Sequence, residues 1–99
     1  MRAKKYTSKR VTHHVPIEKI VKAFANKKRI DILYLLNKHP DSSVDTISAS
    51  LDFDYKTTSA HTSKLAIAGL IKKKHIGHTV VHKLTTRGKQ VLEFFRTLE

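Results

Sequence analysis

The chain has no cysteine and no tryptophan, only three glycines and two prolines, and eight acidic residues against twenty lysines and arginines. The missing cysteine excludes a disulfide framework and thiolate chemistry, so a metal site would need histidines and carboxylates. No apolar run approaches the roughly 20 residues of a membrane-spanning helix. The opening MRAKKYTSKRVTHH places no apolar segment after its positive charges, so no signal peptide is expected either. There is no glycine-rich phosphate loop, no suggestively spaced pair of carboxylates, and no Ser/His/Asp set that can be assigned to one pocket. Catalysis is therefore not expected, nor is a cofactor.

What the chain does have is positive charge. Its 99 residues carry a formal charge of +12 and a pI near 10.2, which directs it toward polyanions. The length fits one small domain with a modest core, for which pairing with a second copy would bury more surface. The simplest expectation is a soluble, cytoplasmic protein associated with the nucleoid. Residues 1–14 include Arg2, Lys4, Lys5, Lys9 and Arg10 and no acid. They read either as a flexible basic tail or as an arm that orders on DNA. Residues 15–99 form the expected domain.

Hydrophobic periodicity divides that domain. Pro16 suits a first helical turn, followed by Ile17, Ile20, Val21 and Phe24 at helical spacing, with an end near Ala25. Asn26 suits the N-cap of a second helix, KKRIDILYLLNKH, apolar nearly all round and hence central. Its basic start, Lys27, Lys28 and Arg29, opposes the helix dipole and reads as a solvated face or as a seat for an external anion. His39-Pro40-Asp41 breaks the helix. Ser42 with Asp45 resembles a capping box opening a third helix that holds Val44, Ile47 and Leu51. Phe53 is expected to point inward, and Asp54 to cap a fourth helix over Tyr55 to Ala68. At about 100° per residue, that helix turns Thr58, His61, Thr62, Leu65 and Ala68 inward and Lys56, Ser59, Ala60 and Ser63 outward, with Thr57 and Lys64 at the flank. Gly69 and Leu70 supply a Schellman ending.

From Ile71 the period becomes two. IKKKHI and TVVHKL read as strands around a turn at Gly77-His78, with Ile71, Val80 and Leu84 inward and Lys72, Lys74, His78 and Thr79 outward. Leu84-Thr85-Thr86-Arg87-Gly88 leads into a last helix with an apolar stripe of Val91, Leu92, Phe95 and Leu98. The order is α-α-α-α-β-β-α, mainly α with a β-hairpin wing, and the organising stretch is Ser43 to Leu84. A helix, a turn, a second helix and a basic hairpin make a winged helix-turn-helix. Such a unit places the second helix in a major groove and lays the ribbon on the backbone. The candidate DNA-binding residues are Tyr55, Lys56, Thr57, Ser59, Ala60, Ser63, Lys64, Lys72, Lys74, His78 and Thr79.

Over about Ile17 to Leu98, the chain resembles small winged-helix regulators of the arsenical-resistance (ArsR) type, with features of the multiple-antibiotic-resistance (MarR) type. FANKKRIDILYLL, VDTISASL, TSAHTSKLAIAGLI and GHTVVHKL carry the resemblance. Ser59, His61, Leu65 and Ala68-Gly69-Leu70 occupy the places of the ArsR-type recognition helix, and Leu84-Thr85-x-x-Gly88 resembles the MarR-type approach to the last helix. The resemblance implies a homodimeric, sequence-specific regulator of duplex DNA, in repressor mode. It implies a contact through the first and last helices: Ile17, Ile20, Val21 and Phe24 with Val91, Leu92, Phe95 and Leu98; the other reading of the last-helix stripe is that it closes the core of a monomer. Two departures stand out. Ala60 replaces the frequent Arg or Lys before the recognition-helix histidine, and the cysteines and last-helix histidines of metal-sensing members are missing. The alternative is a sequence-tolerant architectural DNA binder or an RNA-binding winged helix, since serine and threonine discriminate bases weakly. Of the seven histidines, only His75, His78 and His82 suggest a cross-strand pair. No acid or thiol completes a coordination set there, so no metal is expected.

Overall fold

The computed structural model describes residues 15–99, and the expected basic tail over 1–14 lies outside the described residues. The described order is α1 (Ile17–Phe24), α2 (Lys27–Lys38), α3 (Val44–Leu51), α4 (Tyr55–Ile67), β1 (Ile71–Ile76), β2 (Thr79–Leu84) and α5 (Thr86–Leu98). This is the expected winged helix-turn-helix.

Helix α2 runs through the centre, with α1, α3, α4, α5 and β2 packed around it. Its Ile32, Leu33 and Leu36 are fully buried with Ile47 of α3 and Leu65 of α4, and Leu70 and Ile71 close the core beside them. Burying each such side chain stabilises the fold by about 1.5–3 kcal/mol, so these few positions dominate a core this small. Local chemistry sets the helix limits. Asn26 accepts the Arg29 N–H at 3.1 Å, Asp54 accepts that of Thr57 at 3.1 Å, and Thr85 accepts that of Gly88 at 3.1 Å. Helix α4 ends in the expected Schellman turn: Gly69 adopts φ +78°, and the Leu70 N–H reaches the Leu65 carbonyl at 3.0 Å.

One cap differs from expectation. Ser43, not Ser42, accepts the Thr46 N–H at 3.1 Å and opens α3. Ser42 is instead buried and donates its hydroxyl to the His39 carbonyl at 2.7 Å. Its backbone forms a single antiparallel bridge with His82 of the hairpin.

That bridge also sharpens the reading of β2. Val80 shares the face of Leu84 and His82, as expected, but is only half-buried, while His82 and, on the other face, Val81 are buried. The Ser42 carbonyl accepts two bonds from His82, one from its backbone N–H and one from Nδ1, each at 2.9 Å. The Asp41 N–H returns a third to the His82 carbonyl at 2.9 Å. A histidine assigned to the open ribbon is therefore the pin that fastens the hairpin to the α2–α3 connection. The two strands pair from Ile71↔Leu84 to Ile76↔Thr79, leaving Gly77-His78 as a two-residue loop with Gly77 at φ +63°.

The apolar stripe of α5 is corrected too. Val91, Leu92 and Phe95 are buried within the domain, as is Ile20 of α1, and the Phe24 and Phe95 rings meet edge-to-face at 5.3 Å. These side chains close the core. The large apolar residues that α1 and α5 leave outside are Ile17, Val21, Phe94 and Leu98, which are 72%, 44%, 50% and 69% exposed.

Candidate nucleic-acid interface

Helix α4 is anchored by small, self-satisfied side chains on its inner face. Thr58 and Thr62 are buried, and their hydroxyls donate to the carbonyls of Asp54 at 2.8 Å and Ser59 at 3.0 Å. Leu65 is the large buried side chain of the helix. With Leu65 as its one large buried side chain, α4 packs against α2 and α3 and leaves its other side free.

On that free side Tyr55, Lys56, Ala60 and Lys64 are exposed, while Thr57, Ser59 and Ser63 are half-buried. Short side chains here let the helix backbone approach another surface closely. Of the expected hairpin residues, Lys72, Lys74, His78 and Thr79 are all exposed. The strand register separates them from the helix, however. Lys73 pairs with His82 and shares the face of Ile71 and Leu84, while Lys72 and Lys74 point to the opposite face of the ribbon. It is Lys73 whose Nζ lies 3.4 Å from the Ser63 hydroxyl, joining hairpin to helix. Residue types alone do not reveal which side of the ribbon Lys73 takes, because that depends on the register.

Asp54, the exposed N-cap of α4, is the last carboxylate before a long basic stretch. From Tyr55 to Leu92 the chain contains eight lysines and arginines and no acid. Lys72 and Lys83 stand directly across the strands from each other, a like-charged pair that opposes folding unless an anion lies over it.

Arg29 is a second residue whose importance the sequence did not announce. Its Nε donates to Nδ1 of half-buried His61 at 3.0 Å, and its Nη1 donates to the Ala23 carbonyl at 3.1 Å at the end of α1. Burial, and then the charges of Arg29, Lys28 and Lys64, hold His61 below the ordinary imidazole range, so it is neutral at pH 7. At the start of α2, Lys27 pairs with Asp31 at 3.4 Å and the Lys28 ammonium lies 5.0 Å from the Phe53 ring centroid, while Arg29 has no ion pair among the described residues. Among the described residues no three histidines or acids are grouped to hold a metal ion. His75 pairs across the strands with Val80, and His82 is committed to Ser42. Among the same residues no helix is long and apolar enough to cross a membrane.

The helix-turn-helix α3–α4, the hairpin pinned behind it and the covering α5 define a winged helix-turn-helix protein. Its likeness to solved structures runs over nearly the whole chain. Reduced HlyU from Vibrio cholerae N16961 is 25% identical with a TM-score of 0.74, covering 99% of this chain and 97% of that one. The transcriptional regulator HlyU from Vibrio vulnificus CMCP6 is 25% identical with a TM-score of 0.70, covering 99% and 98%. The homodimeric winged helix-turn-helix DNA-binding domain of Mb0332 from Mycobacterium bovis, described as a possible ArsR-family transcriptional regulator, is 19% identical. Its TM-score is 0.77, over 98% of this chain and 83% of that one. No protein-family model and no curated protein sequence matches.

Proposed function

We propose that this chain is a homodimeric transcription regulator that binds duplex DNA, with α4 in the major groove and the hairpin on the adjoining backbone. The observation that carries this reading is the Lys73–Ser63 contact. It puts a hairpin ammonium and the free face of α4 on one surface, beside a stretch without a single acid. Phosphates held by Lys56, Lys64 and Lys73 position the protein, and Ser59 and Ser63 reach base edges. The neutral His61 adds no charge to the helix.

Exposed Ile17 and Val21 of α1 and Phe94 and Leu98 of α5 flank the Phe24–Phe95 contact and form the dimer face. Mb0332, whose domain is homodimeric, supports that assembly. A two-fold dimer reads two half-sites about 34 Å apart on one side of the duplex. A protein seated over such a site excludes others from it, and repression is the mode assigned.

The test is selection of a site from a random duplex library, followed by titration against that site, a scrambled duplex and single-stranded RNA. The reading predicts the selected duplex to bind at least tenfold more tightly than the scrambled one, and Lys56→Ala and Lys64→Ala to weaken both. Equal affinity for both duplexes would make the protein a sequence-tolerant architectural binder. A preference for the RNA would overturn the reading.

A further inference from the structure

Away from the hairpin, a cleft of about 400 Å³ opens between α1, the start of α2 and the end of α4. Lys19, Lys22, Arg29 and Lys64 surround it, and Val15, Ala23 and Ile67 supply apolar walls. None of these four cations is in an ion pair among the described residues. Nor can residues 1–14 neutralise them, since that segment contains no acid. Arg29 uses Nε and Nη1 on His61 and the end of α1, and its Nη2 makes no hydrogen bond among the described residues. Ile67 is the most exposed large apolar side chain of the described residues at 79%, although it stands over a concave site.

We propose that this cleft binds a small carboxylate with an apolar body. Its size falls in the range of small-molecule sites, and its lining mixes apolar walls with a few convergent charges. A phosphodiester backbone needs neither the concavity nor the apolar walls. Lys19 and Lys22 lie on roughly the opposite side of α1 from Ile17 and Val21, so the cleft stays open when the proposed dimer face is covered. Of the residues assigned to DNA, only Lys64 is shared, and the site does not rest on the DNA-binding reading.

The probe is hexanoate, followed by amide NMR on the whole chain, with hexanamide as its neutral counterpart and inorganic phosphate as an anion without an apolar body. Hexanoate should give saturable shifts confined to the cleft, with a Kd in the millimolar range expected of about eight non-hydrogen atoms. Hexanamide and phosphate should bind at least tenfold more weakly. Lys19→Ala with Lys22→Ala, and separately Ile67→Asn, should each weaken hexanoate at least fivefold. These are exposed positions, so the melting temperature should not change. The proposal is overturned by scattered or unsaturable shifts, or by hexanamide or phosphate matching hexanoate. It is equally overturned if the lysine variant loses duplex affinity while hexanoate binding is intact, which would make the cleft a backbone contact.

Discussion

Replacing Gly88 with alanine should cost far more than adding a methyl group to a helix ordinarily does. A Cβ at this position would lie 2.2 Å from the Leu70 carbonyl oxygen and 3.1 Å from Leu84 Cδ2. The first distance is more than roughly 1 Å short of ordinary contact. The Leu70 backbone cannot retreat, because its carbonyl accepts the Thr85 N–H at 3.1 Å and its own N–H is held by the Leu65 carbonyl at 3.0 Å. Helix α5 must therefore move outward and loosen Leu92 and Phe95. Overpacking of this kind costs about 3 kcal/mol, offset in part by alanine's better helix propensity of up to ~1 kcal/mol. A net loss of about 2–3 kcal/mol lowers the melting temperature of a domain this size by about 10–20 °C. Gly77→Ala is the control: φ there is +63° and nothing lies within 4 Å. It costs only the left-handed strain, about 1–2 kcal/mol. Thermal unfolding followed by circular dichroism separates the two. A Gly88→Ala protein melting within about 3 °C of wild type would refute the packing argument.

Three further outcomes follow from the same geometry. Burial drives His82 below the ordinary imidazole range, the Ser42 carbonyl partly opposing and the Lys73 charge adding to it. Its folded value therefore lies below its unfolded one near 6.5, and the stability it contributes is complete above that pH and lost as pH falls below it. The melting temperature should drop between pH 7 and pH 5, less steeply in His82→Gln, and a flat profile would contradict the buried pin. Replacing Ser43 with alanine removes the N-cap of α3 and should cost about 1 kcal/mol by chemical denaturation; no loss would return the cap to Ser42. Leu98→Asp with Ile17→Asp should give a folded monomer by light scattering, and a persisting dimer would move the interface elsewhere.

What could be read without coordinates was mainly local. Asn26, Asp54 and Gly69 act within a few residues of themselves, and each stands where residue chemistry alone places it. Ser42 and Ser43 are adjacent and chemically identical, so their roles separate only through His82, forty residues away in sequence. The same distant contact covers His82, on the face of β2 that also carries Val80 and Leu84. A run of three lysines likewise does not reveal which one faces Ser63 until the strand register is known. The stripe on α5 reads in sequence either as a partner contact or as the closure of the core, and the Phe24–Phe95 contact that absorbs most of it comes from helix packing. No spacing within α5 predicts it.

The most direct test of the central claim is the salt dependence of duplex binding, measured for wild type and for Lys73→Ala. Each lost phosphate contact should reduce the slope of log K against log salt by about 0.9, so the proposed dimer, carrying the substitution in both hairpins, should lose about 2. That result, with steep salt dependence in the wild type, is what the shared surface of α4 and the hairpin predicts. A slope unchanged by Lys73→Ala, or a wild-type affinity indifferent to salt, would contradict it.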